Sequence, residues 1–325
     1  MTDREMKPAD REMKPAAEDT FYVDLVQGGV PGRFSGYLVA APRPALIESG
    51  SARDVEIWLD ALDRMGVPRS DVAYVVVTHV HLDHGGGAGV LLKELPSARL
   101  VVHRAGARHM VDPTRLVQGS RAVFGQRLER LFGLPQPAPE ARVDAVDDGD
   151  SIDLGGGHRL RFLEGRGHAR HQHMILDEGT GMLFPGDELG VRYLPACRPG
   201  RDYVLPSTVP NQFDPEAMLA SVDRVRALRP EGVLFSHFGR LESPLDVLLD
   251  RIAGQVHAFV GLLDGADAPL PAEEVHRRLE RHVRADLEAQ ELDWTPELAA
   301  SLDMDVEVCA MGLADYHARR VGASG

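Results

Sequence analysis

The sequence predicts an α/β fold: a four-layered αβ/βα sandwich of two packed sheets with helices outside, followed by a helical C-terminal extension. Three observations predict it. Short apolar strands come first, then helix, then strands again, the order expected of a two-sheet sandwich covered by helices. A hydrophobic content of 43% over 325 residues supports a sizeable core in one large domain with an appendage. After residue 240 the strand signals stop and helical periodicity takes over.

Phe21–Val26, Gly36–Ala41 and Ala45–Glu48 read as strands divided by Gly and Pro turns. Ala52–Met65 reads as an amphipathic helix opened by Ser51. Val72–Val77 is a buried strand. The run Gly85-Gly86-Gly87 then lets the backbone pass closely before a helix begins at Val90–Leu95. Leu100–His103 is again a strand. Residues 104–132 read as an insertion of two helical pieces broken at Asp112-Pro113, lying over the rim of the site. Strands return at Ser151–Leu154, Arg159–Leu163, Met174–Asp177 and Met182–Phe184. Asp214-Pro215-Glu216 combines an N-cap, a Pro at the first helical position and an acidic first turn, starting a helix to Leu228. Gly232–Phe235 is the last strand, and helices follow at Leu245–Leu263, Ala272–Ala289 and Pro296–Arg319. Asp-Arg-Glu-Met-Lys-Pro-Ala occurs at 3–9 and again at 10–16, so residues 1–18 are expected to be a disordered, duplicated tail whose removal through residue 17 has little effect. The expected domains are therefore 1–18, 19–240 and 241–325. The last could cap the site, form a homodimer interface or simply pack on the sandwich.

The chemistry concentrates behind the strand Val75-Val76-Val77. There His79-Val80-His81-Leu82-Asp83-His84 places three imidazoles and a carboxylate within six positions. These are the usual ligands of zinc and other first-row metals. The period of two along a strand sends His79 and His81 to one side, and His84 breaks that parity. Thr78-His79-Val80-His81-Leu82-Asp83-His84 resembles the H-x-H-x-D-H signature of the metallo-β-lactamase superfamily. Gly167-His168, Gly186-Asp187 and Ser236-His237 resemble the later motifs of that family, in its order.

The resemblance, which covers roughly residues 20–240, implies two metal sites. His79, His81 and His168 hold the first metal; Asp83, His84 and His237 hold the second; Asp187 bridges them. It implies two divalent ions, zinc foremost, with iron or manganese accepting the same ligands. Paired metals can acidify a shared water, and the hydroxide it leaves attacks a small thioester, ester or lactone, with Asp83 steering the water or shuttling a proton. Glu48 stands where many members of the family carry an Asp, and its expected work is to orient the metal loop. His171 and His173 are surplus once the pattern is filled; both are read as neighbours of the ligands or substrate contacts, His171 foremost. The loop Arg192–Phe213 carries Tyr193, Arg198 and Arg201, which are candidate substrate contacts because arginine pairs well with carboxylates and phosphates. His158, beside a triple-Gly turn, is expected to be exposed.

Composition removes other classes. A net charge of −14, from 36 basic and 50 acidic residues, disfavours nucleic acid as a partner. No apolar run is long enough for a membrane span, and no hydrophobic signal segment is apparent. With two cysteines, Cys197 and Cys309, there is no disulfide framework, so a cytoplasmic location is expected. Within the superfamily, flavodiiron-type members replace the second histidine by Glu, which His81 does not match. Acyl-homoserine lactonases carry Tyr where Gly190 stands. β-Lactamases usually differ in the third and last motifs and are exported, and the nucleases add an RNA-binding module. The best resemblance is to glyoxalase II-like hydrolases, although glyoxalase II uses lysine in glutathione binding and this chain has no lysine after Lys93. Two alternatives remain: a mononuclear iron persulfide dioxygenase using His79, His168 and Asp187, or a metal-containing binding protein with little turnover.

Overall fold

A computed structural model describes residues 12–322. They form two compact units that interleave along the chain. Unit 1 comprises the chain up to Glu164, His171–Gly186 and Pro230–Arg240; unit 2 comprises Gly165–Arg170, Asp187–Arg229 and Leu241 onward.

Unit 1 holds two sheets. The first is built, in spatial as in chain order, from β1 (Lys14–Ala17), β2 (Thr20–Asp24), β3 (Ser35–Val39), β4 (Ala45–Ile47), β5 (Tyr74–Val76), β6 (Arg99–His103) and β7 (Val143–Val146). β1 to β4 run as an antiparallel meander; β4 to β7 pair parallel, joined across helices α1 (Val55–Met65), α2 (Ala88–Glu94), α3 (Arg104–Val111), α4 (Thr114–Phe124) and α5 (Leu128–Phe132). The second sheet contains β8 (Ser151–Gly155), β9 (His158–Glu164), β10 (His173–Asp177) and β11 (Met182–Phe184). The chain then visits unit 2 before returning as β14 (Gly232–Phe235) and β15 (Gly239–Arg240), which complete the order β15-β14-β11-β10-β9-β8.

Strand alternation explains the layering. Leu38, Leu46, Val75 and Leu100 pack with Trp58, Leu59 and Leu62 of α1 and Leu91 of α2. Their immediate neighbours Tyr37, Ala45, Ile47, Val76 and Val101 pack with Leu160, Phe162, Ile175, Phe184 and Leu234 of the second sheet. Both faces of the first sheet are thus buried, which is why its parallel strands read as continuous apolar runs. This is the two-sheet α/β class that the strand–helix–strand order predicts.

Unit 2 carries the hairpin β12 (Val191–Arg192) and β13 (Val204–Leu205) and the helices α6 (Pro215–Leu228), α7 (Leu245–Gly261), α8 (Ala272–Ala289) and α9 (Pro296–Gly322). α6 lies against α7, and α8 against α9. The side chain of Asp214 accepts a hydrogen bond from the Ala217 N–H, the N-cap expected from the sequence.

Several expectations are corrected. The first copy of the repeat and the start of the second lie outside the described residues, but Lys14–Ala17 forms β1 rather than a disordered tail. Pairing with β2 and burial of Met13 and Ala16 outweigh the polar composition. The 104–132 segment has a second break at Gly125, so it forms three α-helices instead of two pieces. The Arg192–Phe213 loop contains β13 and a turn of 3-10 helix at Leu194–Ala196. Of the glycines after His84, Gly86 lies against the backbone of Leu82 and Gly87 against the Ser49–Ser51 turn, where a Cβ would lie 2.8 Å from the carbonyl oxygens of Ser49 and Ser51. His158 is buried, with Nδ1 2.7 Å from an Asp177 oxygen.

Candidate metal centre

The expected donors divide between the units. His79, His81, Asp83, His84 and His237 belong to unit 1; His168 and Asp187 belong to unit 2.

In unit 1, β5 ends at Val76 and the chain turns over Val77-Thr78 into the ligand loop. The turn is held from the second sheet: His173 donates its backbone N–H to the Thr78 carbonyl at 3.0 Å, and its Nε2–H to the Val77 carbonyl at 3.0 Å. Burial pushes the His173 imidazole down to about 3, so it stays neutral. Met110 of α3 and Val80 of the ligand loop belong to one core cluster, so the inserted helices start against the loop.

The buried carboxylate of Glu48 organises this half. Its Oε1 accepts from the Thr78 hydroxyl at 2.6 Å, from His84 Nδ1 at 2.9 Å and from the Ser236 hydroxyl at 2.8 Å; its Oε2 accepts from the Thr78 N–H at 3.2 Å. The expected orienting role of Glu48 therefore has a direct structural form. Because the Thr78 hydroxyl gives its proton to Glu48, its oxygen accepts from His79 Nδ1, 3.1 Å away. His237 Nδ1 donates to the Arg33 carbonyl at 3.0 Å.

These bonds fix tautomers. With Nδ1 protonated, His79, His84 and His237 each present Nε2 as the ligating nitrogen. Nε2 of His237 and of His84 lie 3.5 and 3.9 Å from Asp83 Oδ2. Asp83, His84 and His237 offer ligand atoms that all lie within 4.8 Å of one another, a spacing a single ion can collect. The His79 and His81 rings are 4.5 Å apart, and His171 packs edge-on to His81 at 5.2 Å.

Unit 2 repeats the logic. His168 Nδ1 donates to the Ser207 carbonyl at 2.9 Å, and its Nε2 lies 3.7 Å from Asp187 Oδ2. Glu188 accepts from the backbone N–H groups of Gly167 and His168 at 2.9 and 3.1 Å, and from the Ser221 hydroxyl at 2.6 Å. Two of the candidate substrate contacts bond other residues of unit 2. The Tyr193 hydroxyl is 3.0 Å from an Asp305 oxygen, and Arg198 donates to the Glu291 carbonyl at 2.9 Å. Arg201 is exposed and bridges backbone with Arg198.

The donor chemistry fits a first-row divalent metal: neutral imidazoles with fixed tautomers beside carboxylates. Sequence reasoning missed the supporting residues Gln27, Arg33 and Glu188 and the supporting roles of Thr78 and Ser207. Glu188 and Thr78 adjoin motif residues, which was a usable signal; Gln27 had none.

Comparison with known proteins agrees. The family model of the metallo-beta-lactamase superfamily matches residues 37–237. A metallo-beta-lactamase fold-containing protein of Sulfurisphaera tokodaii is 26% identical over 230 residues, covering 68% of this chain and 80% of that protein. The hydroxyacylglutathione hydrolase of Aeromonas salmonicida is 32% identical over 128 residues, 39% of this chain and 37% of the enzyme. Diflavin flavoprotein A 1 of Synechocystis is 25% identical over 161 residues, 49% of this chain but only 24% of that longer protein. Among solved structures, an archaeal superfamily protein from Sulfolobus tokodaii superposes with a TM-score of 0.62 at 22% identity, covering 87% of this chain and 93% of that one. No helix among the described residues is long and apolar enough to cross a membrane. The chain belongs to the metallo-beta-lactamase superfamily.

Proposed function

We propose that this protein is a metal-dependent hydrolase that binds two divalent ions, zinc foremost, and cleaves a small thioester, ester or lactone. His79, His81 and His168 serve one ion, Asp83, His84 and His237 the other, and Asp187 both. The observation that carries the reading is the Asp83–His84–His237 cluster, with ligand atoms within 4.8 Å and both imidazoles tied at Nδ1. Metals so held supply Lewis acidity and a water acidic enough to attack near neutral pH. The protein's own contribution is geometric. Glu48 and the Arg33 carbonyl hold the imidazole planes, and Asp83 stands beside both rings, where its carboxylate can orient a water and take its proton. His171, against the ring of His81, is the substrate contact we favour; Tyr193, Arg198 and Arg201 follow it.

The similarity to a hydroxyacylglutathione hydrolase supports the hydrolytic branch. The His168–Asp187 pair, with Nε2 3.7 Å from Oδ2, favours a second, oxidative reading: a mononuclear iron persulfide dioxygenase using His79, His168 and Asp187. One experiment separates them. The metal-loaded protein is assayed against a panel of thioesters (glutathione thioesters included), esters and lactones, with oxygen uptake on a persulfide in parallel. Hydrolysis that stops on chelation and returns with zinc supports the proposal. Oxygen uptake with iron bound supports the dioxygenase. No turnover on either arm, with metals retained, makes the protein a binding protein and overturns both.

A further inference from the structure

The loop between β2 and β3 touches every donor of the second metal set. Gln27 is 2% exposed although Gly28 and Gly29 beside it are exposed. Its Nε2 donates to Asp83 Oδ2 at 2.7 Å, the same oxygen that faces Nε2 of His84 and of His237. Its Oε1 accepts from Arg33 Nε at 3.1 Å, which fixes which end of the amide faces the carboxylate. The Arg33 carbonyl in turn accepts from His237 Nδ1. The Phe34 ring then meets the rings of His84 and His237 edge-on, each at 4.8 Å.

The backbone is bent to achieve this. Val26, Gly28 and Gly29 have φ of 50, 63 and 82°. For β-branched Val26 that conformation is strained. Asp24 offsets the cost by accepting from the Val26 N–H at 2.9 Å and the Gly32 N–H at 2.6 Å. The strained turn directs a polar side chain inward, where an apolar one would satisfy packing alone.

We propose that Gln27 is a positioning residue for the Asp83–His84–His237 metal site, and that Arg33 holds its amide in register, so that this loop sets the affinity of one metal ion without setting that of the other. The inference rests on the two-metal reading above. An amide donor to Oδ2 fixes the plane of the Asp83 carboxylate before metal arrives. Without it the carboxylate is held less firmly, and the ion must supply more of that ordering itself. Outer partners of metal ligands change affinity by about 10- to 100-fold when removed.

The test is a competitive-chelator titration of the full chain with zinc, reading each equivalent separately. Gln27→Leu is expected to weaken one of two equivalents by about 10- to 100-fold and leave the other unchanged. In a His237→Ala background, which removes a ligand of the same site, Gln27→Leu is expected to cause no further change in the remaining equivalent. Two equivalents unaffected by Gln27→Leu, two weakened alike, or an added loss in the His237→Ala background would each overturn the inference while leaving the two-metal reading intact. A wild-type chain that takes up only one equivalent would overturn both. Should Gln27→Leu not fold, Arg33→Met frees the amide yet keeps the carbonyl that His237 uses. It should weaken the same equivalent by a smaller factor, and an unchanged titration would sink the proposal.

Discussion

The two halves of the donor set are each organised by a buried glutamate, but at different points. Glu48 in unit 1 bonds the imidazole of His84 itself, and through Thr78 it sets His79. Glu188 in unit 2 bonds the backbone N–H groups of Gly167 and His168, while the His168 ring is set by the Ser207 carbonyl. One glutamate orients rings; the other shapes the turn from which a ring projects. Loss of the first should therefore appear mainly in metal affinity, and loss of the second mainly in stability.

The largest effect should come from removing a donor outright. His84→Ala is expected to cost one metal equivalent and to lower hydrolysis by orders of magnitude, measured by elemental analysis and turnover on the best substrate. Next is Glu48→Gln, which keeps the volume but places an amide among donors. It should weaken metal binding about 10- to 100-fold with the fold retained. Glu188→Gln should sharpen the contrast: a stability loss of about 1–3 kcal/mol in denaturant melts, with a smaller change in metal affinity than Glu48→Gln. Equal effects of the two glutamine variants on affinity would remove the distinction between them.

His173 supplies a pH-dependent member of the series. Its folded value of about 3 lies below the ordinary 6.5, so the unfolded chain binds the extra proton first. Its contribution is complete above pH 6.5 and is lost as pH falls towards 3, at about 1 kcal/mol per pH unit. His173→Gln keeps an N–H for the Val77 carbonyl and cannot titrate, so acid melts of the variant should be flatter over that window. The smallest effect belongs to β1. Deleting residues 1–17 removes the buried Met13 side chain and should cost about 2 kcal/mol of stability while leaving turnover unchanged.

Much of this centre is legible in the sequence because its donors come in local motifs. His79, His81, Asp83 and His84 share one turn, and His168, Asp187 and His237 each stand beside a Gly or Ser that marks the bend. The helix starting at Asp214-Pro215 is legible for the same reason. What escapes is non-local. Gln27 reaches Asp83 across 56 positions, and Ser221 reaches Glu188 across 33, with nothing in either neighbourhood to advertise the pairing. Strands β1, β7 and β12 also escape. They are short and of mixed polarity, and exist because a neighbour offers its edge; β7 adds the Arg99–Asp144 ion pair to its pairing with β6.

The most direct test of the central claim is a count of metal equivalents per chain in the purified protein, with His84→Ala as its comparison. Two equivalents of zinc, or of zinc with iron or manganese, falling to one in the variant, is the predicted result. A single iron per chain that survives His84→Ala would contradict it and move the protein to the oxidative branch of its superfamily.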